Sequence, residues 1–255
     1  MCVCRALPRE GGRAKEIRVA RVRKLFACAP RLTCLRLSPC HARAMQVSNN
    51  LDENQHAQTA PWSMRERGEA EPGTRRTFDA KYNALVQWIV GPWFVFFVVN
   101  RKCSAFENAL WAAPLVACYA VGGLPLLLFE FAVSYVTAFT GMCLFHAQHT
   151  FDGVYKRRGE EWDFFENGLL GSSLLLIPEA LKPFTLGIEY HHIHHLSTGV
   201  PSYKLRECHE AGEKKGLWDA VPTLPLSSIP ATMPYAVWDE DGQEFLSVPQ
   251  AQTRD

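Results

Sequence analysis

Charged side chains are almost missing from one long stretch of this 255-residue sequence. Between Asn108 and Phe151 only Glu130 is charged, whereas the first 77 and the last 45 residues are rich in charge, glycine and proline. Such a run exceeds what a buried core helix needs and is long enough for two bilayer crossings of about 20 residues each. The sequence therefore argues against a purely soluble protein and predicts a membrane hairpin over about 108–151, with its turn at Gly122-Gly123.

Three further features are missing from the sequence: a basic stripe, an apolar signal-peptide core and paired cysteines. The formal net charge is only +1 and no basic stripe is present, which argues against a nucleic-acid-binding protein. No apolar signal-peptide core opens the chain. The nine cysteines have no paired spacing in the body of the chain, which favours unpaired thiols in a reduced compartment.

The two ends of the chain have the composition of irregular segments. Residues 1–44 hold eleven Lys/Arg against two acidic residues, which fits an organelle-targeting leader, a disordered basic tail, or a misplaced start codon with Met45 as a later candidate. Residues 45–77 are polar and predict a linker or disorder, so 1–77 is treated as one N-terminal region. Residues 213–255 predict an irregular tail. The ambiguous leader leaves the ER and plastid membranes both open.

A second apolar segment precedes the hairpin. Residues 82–100 carry no charge, but Gly91-Pro92 stands in the middle. Basic residues gather on the cytoplasmic side of short loops, and Lys81 and Arg101-Lys102 flank this segment at both ends. Both ends are therefore expected on the same side of the membrane, as in an interfacial or re-entrant segment broken at Pro92.

Six of the nine histidines form two groups, one at the end of the hairpin (146 and 149) and one further along the chain (191, 192, 194 and 195). His191, His194 and His195 stand at i, i+3 and i+4, so a helix places them on one face. Neutral imidazole is a good ligand for iron, zinc or copper, and no nearby cysteine pair suggests a zinc finger. Of His146 and His149, we choose His149 as the further ligand, because it is nearer the aqueous edge. The lone histidines are interpreted as ordinary hydrogen-bonded side chains (His41, His56 and His209).

At these residues the sequence resembles a known family, the membrane fatty acid desaturases, in their acyl-lipid delta-12/omega-6-like branch. The stretch GSSLLLIPEALKPFTLGIEYHHIHHLSTGVPSYKLRECHE (171–210) resembles the family's third histidine box. The stretch LFHAQHTFDG (144–153) resembles its additional histidine at the end of the last membrane helix, and YNALVQWIVGPWFVFFVVNR (82–101) its Gly-Pro-aromatic membrane segment. The likeness covers roughly 78–212, taken as a partial desaturase domain.

The resemblance implies an oxygen-dependent di-iron oxidoreductase of lipid metabolism that introduces a cis double bond into an acyl chain. It implies non-haem iron, a membrane lipid or other acyl substrate, O₂, and a ferredoxin or cytochrome electron donor. Carried over by position, the metal ligands are His149, His191, His194 and His195, with His146 and His192 in supporting positions beside them, or His192 at the surface. The expected fold is an all-α membrane protein: a transmembrane hairpin, interfacial helices, a histidine-rich cytosolic or stromal cap and a disordered N-terminal region.

The sequence also departs from the family. The family has two earlier histidine boxes, but before His146 only His41 and His56 occur, without such spacing. We therefore expect a desaturase fragment that lacks the first two boxes and is inactive alone. Two alternatives remain open: a related di-iron hydroxylase of lipids or carotenoids, and a non-catalytic membrane protein that binds one metal or partners a complete desaturase.

Overall fold

A computed structural model describes residues 20–22, 47–53, 61–99 and 105–254, which fall into two compact units. The histidine unit comprises Met1–Ala60 and Gly153–Leu226, and the hairpin unit comprises Pro61–Asp152 and Ser227–Asp255. The predicted targeting leader or basic tail over 1–44 lies, apart from 20–22, outside the described residues.

The hairpin unit combines helices with one small sheet. Its elements in chain order are β1 (Trp62–Ser63), α1 (Met64–Glu69), α2 (Pro72–Lys81), a π-helical segment (Val86–Val90), α3 (Gly91–Phe97), α4 (Ala105–His149), then α9 (Ile229–Thr232), β4 (Tyr235–Asp239), β5 (Glu244–Ser247) and α10 (Val248–Arg254).

The long helix α4 is two helices joined at a reversal of the chain. Gly123 breaks it with φ 62° and ψ −155°. The ring of Phe97 lies 5.6 Å from Trp111 and also 5.6 Å from Phe131, on opposite sides of the break. A straight helix would hold those two positions about 30 Å apart at its rise of 1.5 Å per residue. The chain therefore turns back at Gly123, as the predicted hairpin requires.

The most apolar stretch of α4 is not covered by the rest of the protein. Within the part of the chain that the structure describes, α4 is the one helix long and apolar enough to cross a membrane, with a mean hydropathy of 1.9 and 0% of its most apolar stretch buried. Its carboxylate Glu130 accepts a hydrogen bond from Ser134 Oγ one turn along. In a soluble protein these uncovered apolar side chains of α4 would be exposed to water, which the hydrophobic effect opposes.

The apolar segment before the hairpin stays helical through Pro92. The π-helical segment runs directly into α3, where Pro92 occupies the first turn and needs no backbone donor. The predicted break at Pro92 is therefore wrong. The segment packs on the second half of α4, with Tyr135 donating to the Ile89 carbonyl at 2.9 Å. At about 18 Å for twelve residues it is too short to span a bilayer. Its interfacial position stays a prediction.

Two expectations about the ends of the chain are wrong. Strand β1 pairs in parallel with β4, and β4 pairs antiparallel with β5, so part of 213–255 forms an ordered sheet rather than an irregular tail. Residues 61–81 supply β1, α1 and α2 rather than a linker. Trp238 of β4 is fully buried, and Phe78, on α2, packs in one cluster with Leu246. The fold is mostly helical, not all-α, because the apolar residues of β4 and β5 are buried in pairing with each other and with β1.

The histidine unit is built around short helices and a two-stranded parallel sheet. Its elements are α5 (Phe164–Leu170), β2 (Leu174–Leu176), α6 (Lys182–Thr185), α7 (His191–Leu196), α8 (Ser202–Glu213) and β3 (Thr223–Pro225), with 3₁₀ turns at Gly159–Glu161, Glu179–Leu181 and Ile188–Tyr190. A further 3₁₀ turn, Leu226–Ser228, follows β3.

Helix α7 is held in the core of the histidine unit by its apolar side. Ile193 and Leu196 are buried in one cluster with Leu169, Leu205 and other residues. Helices α5 and α7 come so close that a Cβ on Gly168 would lie 2.4 Å from Leu196 Cδ2. Only glycine permits that approach without displacing the Leu196 side chain, so α5 fixes the depth of the histidine helix.

The hairpin turn provides a direct test of this fold. The φ and ψ of Gly123 belong to a region that is open to glycine and strained for any other residue. We expect Gly123→Ala to destabilise the protein by about 1–3 kcal/mol, read as a lower Tm in detergent micelles. Gly68→Ala is the matched control, because Gly68 is exposed and helical, and no atom lies within 4 Å of the position that a Cβ there would take. Equal Tm changes in the two variants would contradict the turn assigned to Gly123.

Candidate metal site

Helix α7 has two faces of different chemistry. Its sequence, HHIHHL, places His192, Ile193 and Leu196 on one side, and all three are buried. His191, His194 and His195 lie on the other side, because positions i, i+3 and i+4 share a helix face. The prediction that these three imidazoles share a face is confirmed by the helix that the structure forms here.

The three imidazoles form a close cluster. The ring centroids of His191 and His195 are 4.7 Å apart, those of His191 and His194 are 5.4 Å apart, and those of His194 and His195 are 6.4 Å apart. His191 and His195 are buried to 3% and 2% exposure, and His194 is partly exposed. His191 and His195 are able to bind a common metal ion, since each ring offers one nitrogen.

A polar network from the segment 47–53 orients His195. Ser48 Oγ lies 3.1 Å from His195 Nδ1, and Asn167 Nδ2 donates to the same Ser48 oxygen at 3.0 Å. Asn49 Nδ2 in turn donates to Asn167 Oδ1 at 2.9 Å, and its own Oδ1 accepts from the buried Lys156 at 3.0 Å. A hydrogen bond at Nδ1 fixes the ring orientation and assigns Nε2 as the atom that would hold a metal.

The other side of α7 carries a second imidazole pair. His192 Nε2 lies 3.4 Å from His209 Nδ1, and the His192 ring meets the Trp218 ring edge-on at 5.0 Å. Burial lowers the pKa of His192 to about 3, with a smaller contribution from His209, and burial also lowers the pKa of His209. Both rings are therefore neutral near pH 7. His192 belongs to the core, which rules out the surface position that the sequence leaves open for it.

The two histidines at the end of α4 are held differently within the hairpin unit. His149 Nδ1 donates to the Phe145 carbonyl at 2.7 Å, which assigns its Nε2 to any metal. His146 Nε2 donates to the Thr232 carbonyl at 2.7 Å, and its ring packs edge-on against Trp88 at 5.0 Å. His146 thus ties α4 to the end of α9, where Trp88 Nε1 also donates to Met233 O.

The donor set fits a first-row transition metal. Neutral imidazole suits iron, zinc and copper, whereas structural zinc sites of finger type draw on cysteine pairs. The cysteines that the structure describes, Cys118, Cys143 and Cys208, are free thiols. Each imidazole of the cluster has two ring nitrogens, so it can keep a hydrogen bond at one of them and offer the other to a metal ion.

Sequence reasoning missed the residues that support this cluster. Ser48 and Asn49 lie in a segment predicted to be linker, 147 and 118 positions away from His195 and Asn167. No periodicity marks such contacts, although the polar run Ser48-Asn49-Asn50 is a weak turn signal. His209, interpreted from the sequence as an ordinary lone histidine, is buried against His192 and Tyr190.

Comparison with known proteins matches most of this chain. The fatty acid desaturase family profile matches residues 54–220. A "Fatty acid desaturase" of Bacillus subtilis (strain 168) is 30% identical over 219 residues, covering 81% of this chain. The chain spans 61% of that relative's length. The residues matched by the profile include the apolar hairpin and all of α7.

The hydrogen bond to His195 can be tested through metal affinity. We expect Ser48→Ala to weaken Zn²⁺ binding by about 10- to 100-fold, the usual cost of removing a partner that orients a histidine ligand. Ser48→Thr keeps the hydroxyl and should restore most of the affinity. Titration calorimetry of the purified full chain in detergent gives the Kd. The control is Ser202→Ala at the exposed start of α8. If Ser48→Ala binds Zn²⁺ with unchanged affinity, Ser48 does not support the metal site.

Proposed function

The chain belongs to the fatty acid desaturase family, and on that premise we propose that it contributes the third-histidine-box part of an oxygen-dependent di-iron desaturase. The desaturase family is an oxidoreductase family of lipid metabolism. The stretch YHHIHHLS and the following Pro201, Tyr203 and Leu205 support the acyl-lipid delta-12/omega-6-like branch.

One observation carries this proposal: the close cluster of His191, His194 and His195 on the imidazole side of α7. The buried core on the opposite side of α7 prevents the helix from rolling, so the three rings keep one direction. The hydrogen bond with Ser48 also holds the His195 ring in one orientation. A redox metal requires ligands that are held in a fixed orientation. A helix that served only to cover the core would not need its polar side chains oriented in this way.

We assign His149 as a fourth ligand. The family resemblance gives that position to a histidine, and the Phe145 carbonyl holds its Nδ1 so that Nε2 is the ligand atom. We assign His146 a structural role instead, because its Nε2 bonds the Thr232 carbonyl while its ring packs edge-on against Trp88. His192 supports α7 from the core through His209 and Trp218.

The metal expected here is non-haem iron, two per site in the family. Bound iron supplies the oxidation, in which O₂ combines with two electrons, two protons and two hydrogens from adjacent methylenes to give two waters and a double bond. The electrons come from a ferredoxin or cytochrome donor, and the substrate is an acyl chain in a membrane. We propose that the α4 hairpin anchors the chain in that membrane, because its apolar surface is uncovered.

The number of imidazoles limits what this polypeptide does alone. Four histidine ligands are enough for one iron and too few for two, and the sequence holds no further box of the family's spacing. We therefore propose that this 255-residue polypeptide reaches a complete site only with histidines from another polypeptide segment.

Expression in a desaturase-deficient host tests the proposed function. We expect the chain alone to give no new double bonds in the host lipids by gas chromatography. Co-expression with a desaturase fragment that carries the two earlier histidine boxes should give unsaturated product, and His191→Ala with His195→Ala should abolish it. Product from the chain alone would contradict the shared site. No product and no iron in the co-purified pair would overturn the desaturase function and favour a non-catalytic membrane protein.

The assignment of His149 over His146 has its own test. We expect His149→Asn to weaken metal binding at least about tenfold, since the loss of a ligand costs no less than the loss of its supporting partner. His146→Asn, three residues away on the same helix, is the matched control and should leave the metal affinity unchanged while lowering Tm, because it removes the bond to Thr232. Affinities from titration of the full chain with Zn²⁺ decide between them; the reverse pattern would exchange the two roles.

A further inference from the structure

The histidine unit exposes a cluster of large apolar side chains away from its histidines. Leu181 is 46% exposed, Phe184 83% and Leu186 68%. All three lie within six positions, on a 3₁₀ turn, on α6 and on the residue that follows α6. Single apolar residues on a surface need no explanation, but a group of this size marks a surface that something covers.

Helix α8 extends this group. The Ser202 carbonyl lies 2.7 Å from the position that a Cβ on Gly187 would take, so the start of α8 lies against the end of the apolar segment. The next residue, Tyr203, is 79% exposed. Arg206, one turn further on, reaches Glu179 at 3.5 Å. We call Leu181, Phe184, Leu186 and Tyr203 the apolar patch.

The charges at the edge of the patch are already paired. Lys182 forms an ion pair with Glu179, and Lys204 forms one with Glu207, each three residues apart. The edge therefore carries no net charge that would select a strongly charged protein partner. Aliphatic and aromatic side chains, together with a tyrosine that carries a polar tip, are typical of segments at a membrane surface.

The backbone limits how deep this segment can lie. Leu186 has φ 52° and Gly187 has φ 84°, so the helix ends in two left-handed residues. Irregular backbone that faces lipid is not tolerated in the hydrocarbon core, because its polar groups would lack partners there. A segment of this kind is suited to the headgroup boundary and not to a crossing.

We propose that the apolar patch rests in the headgroup boundary of the bilayer that the α4 hairpin occupies. A bilayer is available to the patch because the hairpin and the histidine unit are parts of one polypeptide. This inference rests on the membrane anchoring in the proposed function and is independent of metal binding and catalysis.

Site-specific photo-crosslinking of the full chain in phosphatidylcholine vesicles tests the proposal. Photoreactive p-benzoylphenylalanine replaces Phe184 or, in a second variant, Leu181. We expect phospholipid adducts by mass spectrometry at both positions. Val136, exposed in the middle of the second half of α4, is the positive control, and Glu160, exposed in the histidine unit, is the negative control.

The outcomes separate this proposal from the proposed function. An adduct at Val136 without one at Phe184 or Leu181 would overturn the patch and leave the hairpin in the membrane. Dimers crosslinked through position 184 would show that a second copy of the chain covers the patch instead of lipid, and would also overturn the proposal. Loss of the adduct at Val136 as well would remove the membrane anchor and the patch together, whereas the metal affinity of the same samples reports separately on the histidine site.

Discussion

The division of α7 into a buried apolar side and a polar imidazole side is the constraint on which the histidine unit depends. Six residues are too few to form a stable helix alone, so tertiary packing must hold this one. Ile193 and Leu196 supply that packing, and Gly168 allows α5 to approach them closely. The direction of the three rings is therefore set by apolar contacts that themselves bind nothing.

The hairpin depends on a different constraint, the need to satisfy backbone groups. A helix satisfies its own amides and carbonyls, so an apolar chain of this kind can enter lipid only in that form. Reversal of the chain interrupts the hydrogen bonds, and Gly123 makes the reversal in one residue because it lacks a Cβ. Phe97 then packs between the two halves, against Trp111 and Phe131, and fixes how they lie.

The features predicted correctly from the sequence are the local ones. The charge-free stretch and its glycines predicted the hairpin, and the spacing of His191, His194 and His195 predicted their shared face, because both signals lie within a few turns of chain. The misses are non-local. The ordered sheet of β1, β4 and β5 joins segments far apart in sequence, and its short strands were hidden among prolines and acidic residues. The break expected at Pro92 failed for another reason: proline is accepted in the first turn of a helix, and α3 begins one residue earlier.

The same distinction explains why the sequence left two positions open for His192 and did not predict its contact with His209. A histidine is ambiguous in sequence, since the same side chain serves as ligand, surface residue or neutral core residue. Burial decides between these roles, and burial is a property of the assembled unit. His192 is completely enclosed by His209, Trp218 and the apolar core, so its ring can only be neutral. His191 lies one position away but on the other side of α7, among the rings that share its face. Adjacent residues of one type thus lie in different environments, one in the apolar core and one in the imidazole cluster, because a helix turns its successive side chains by about 100°.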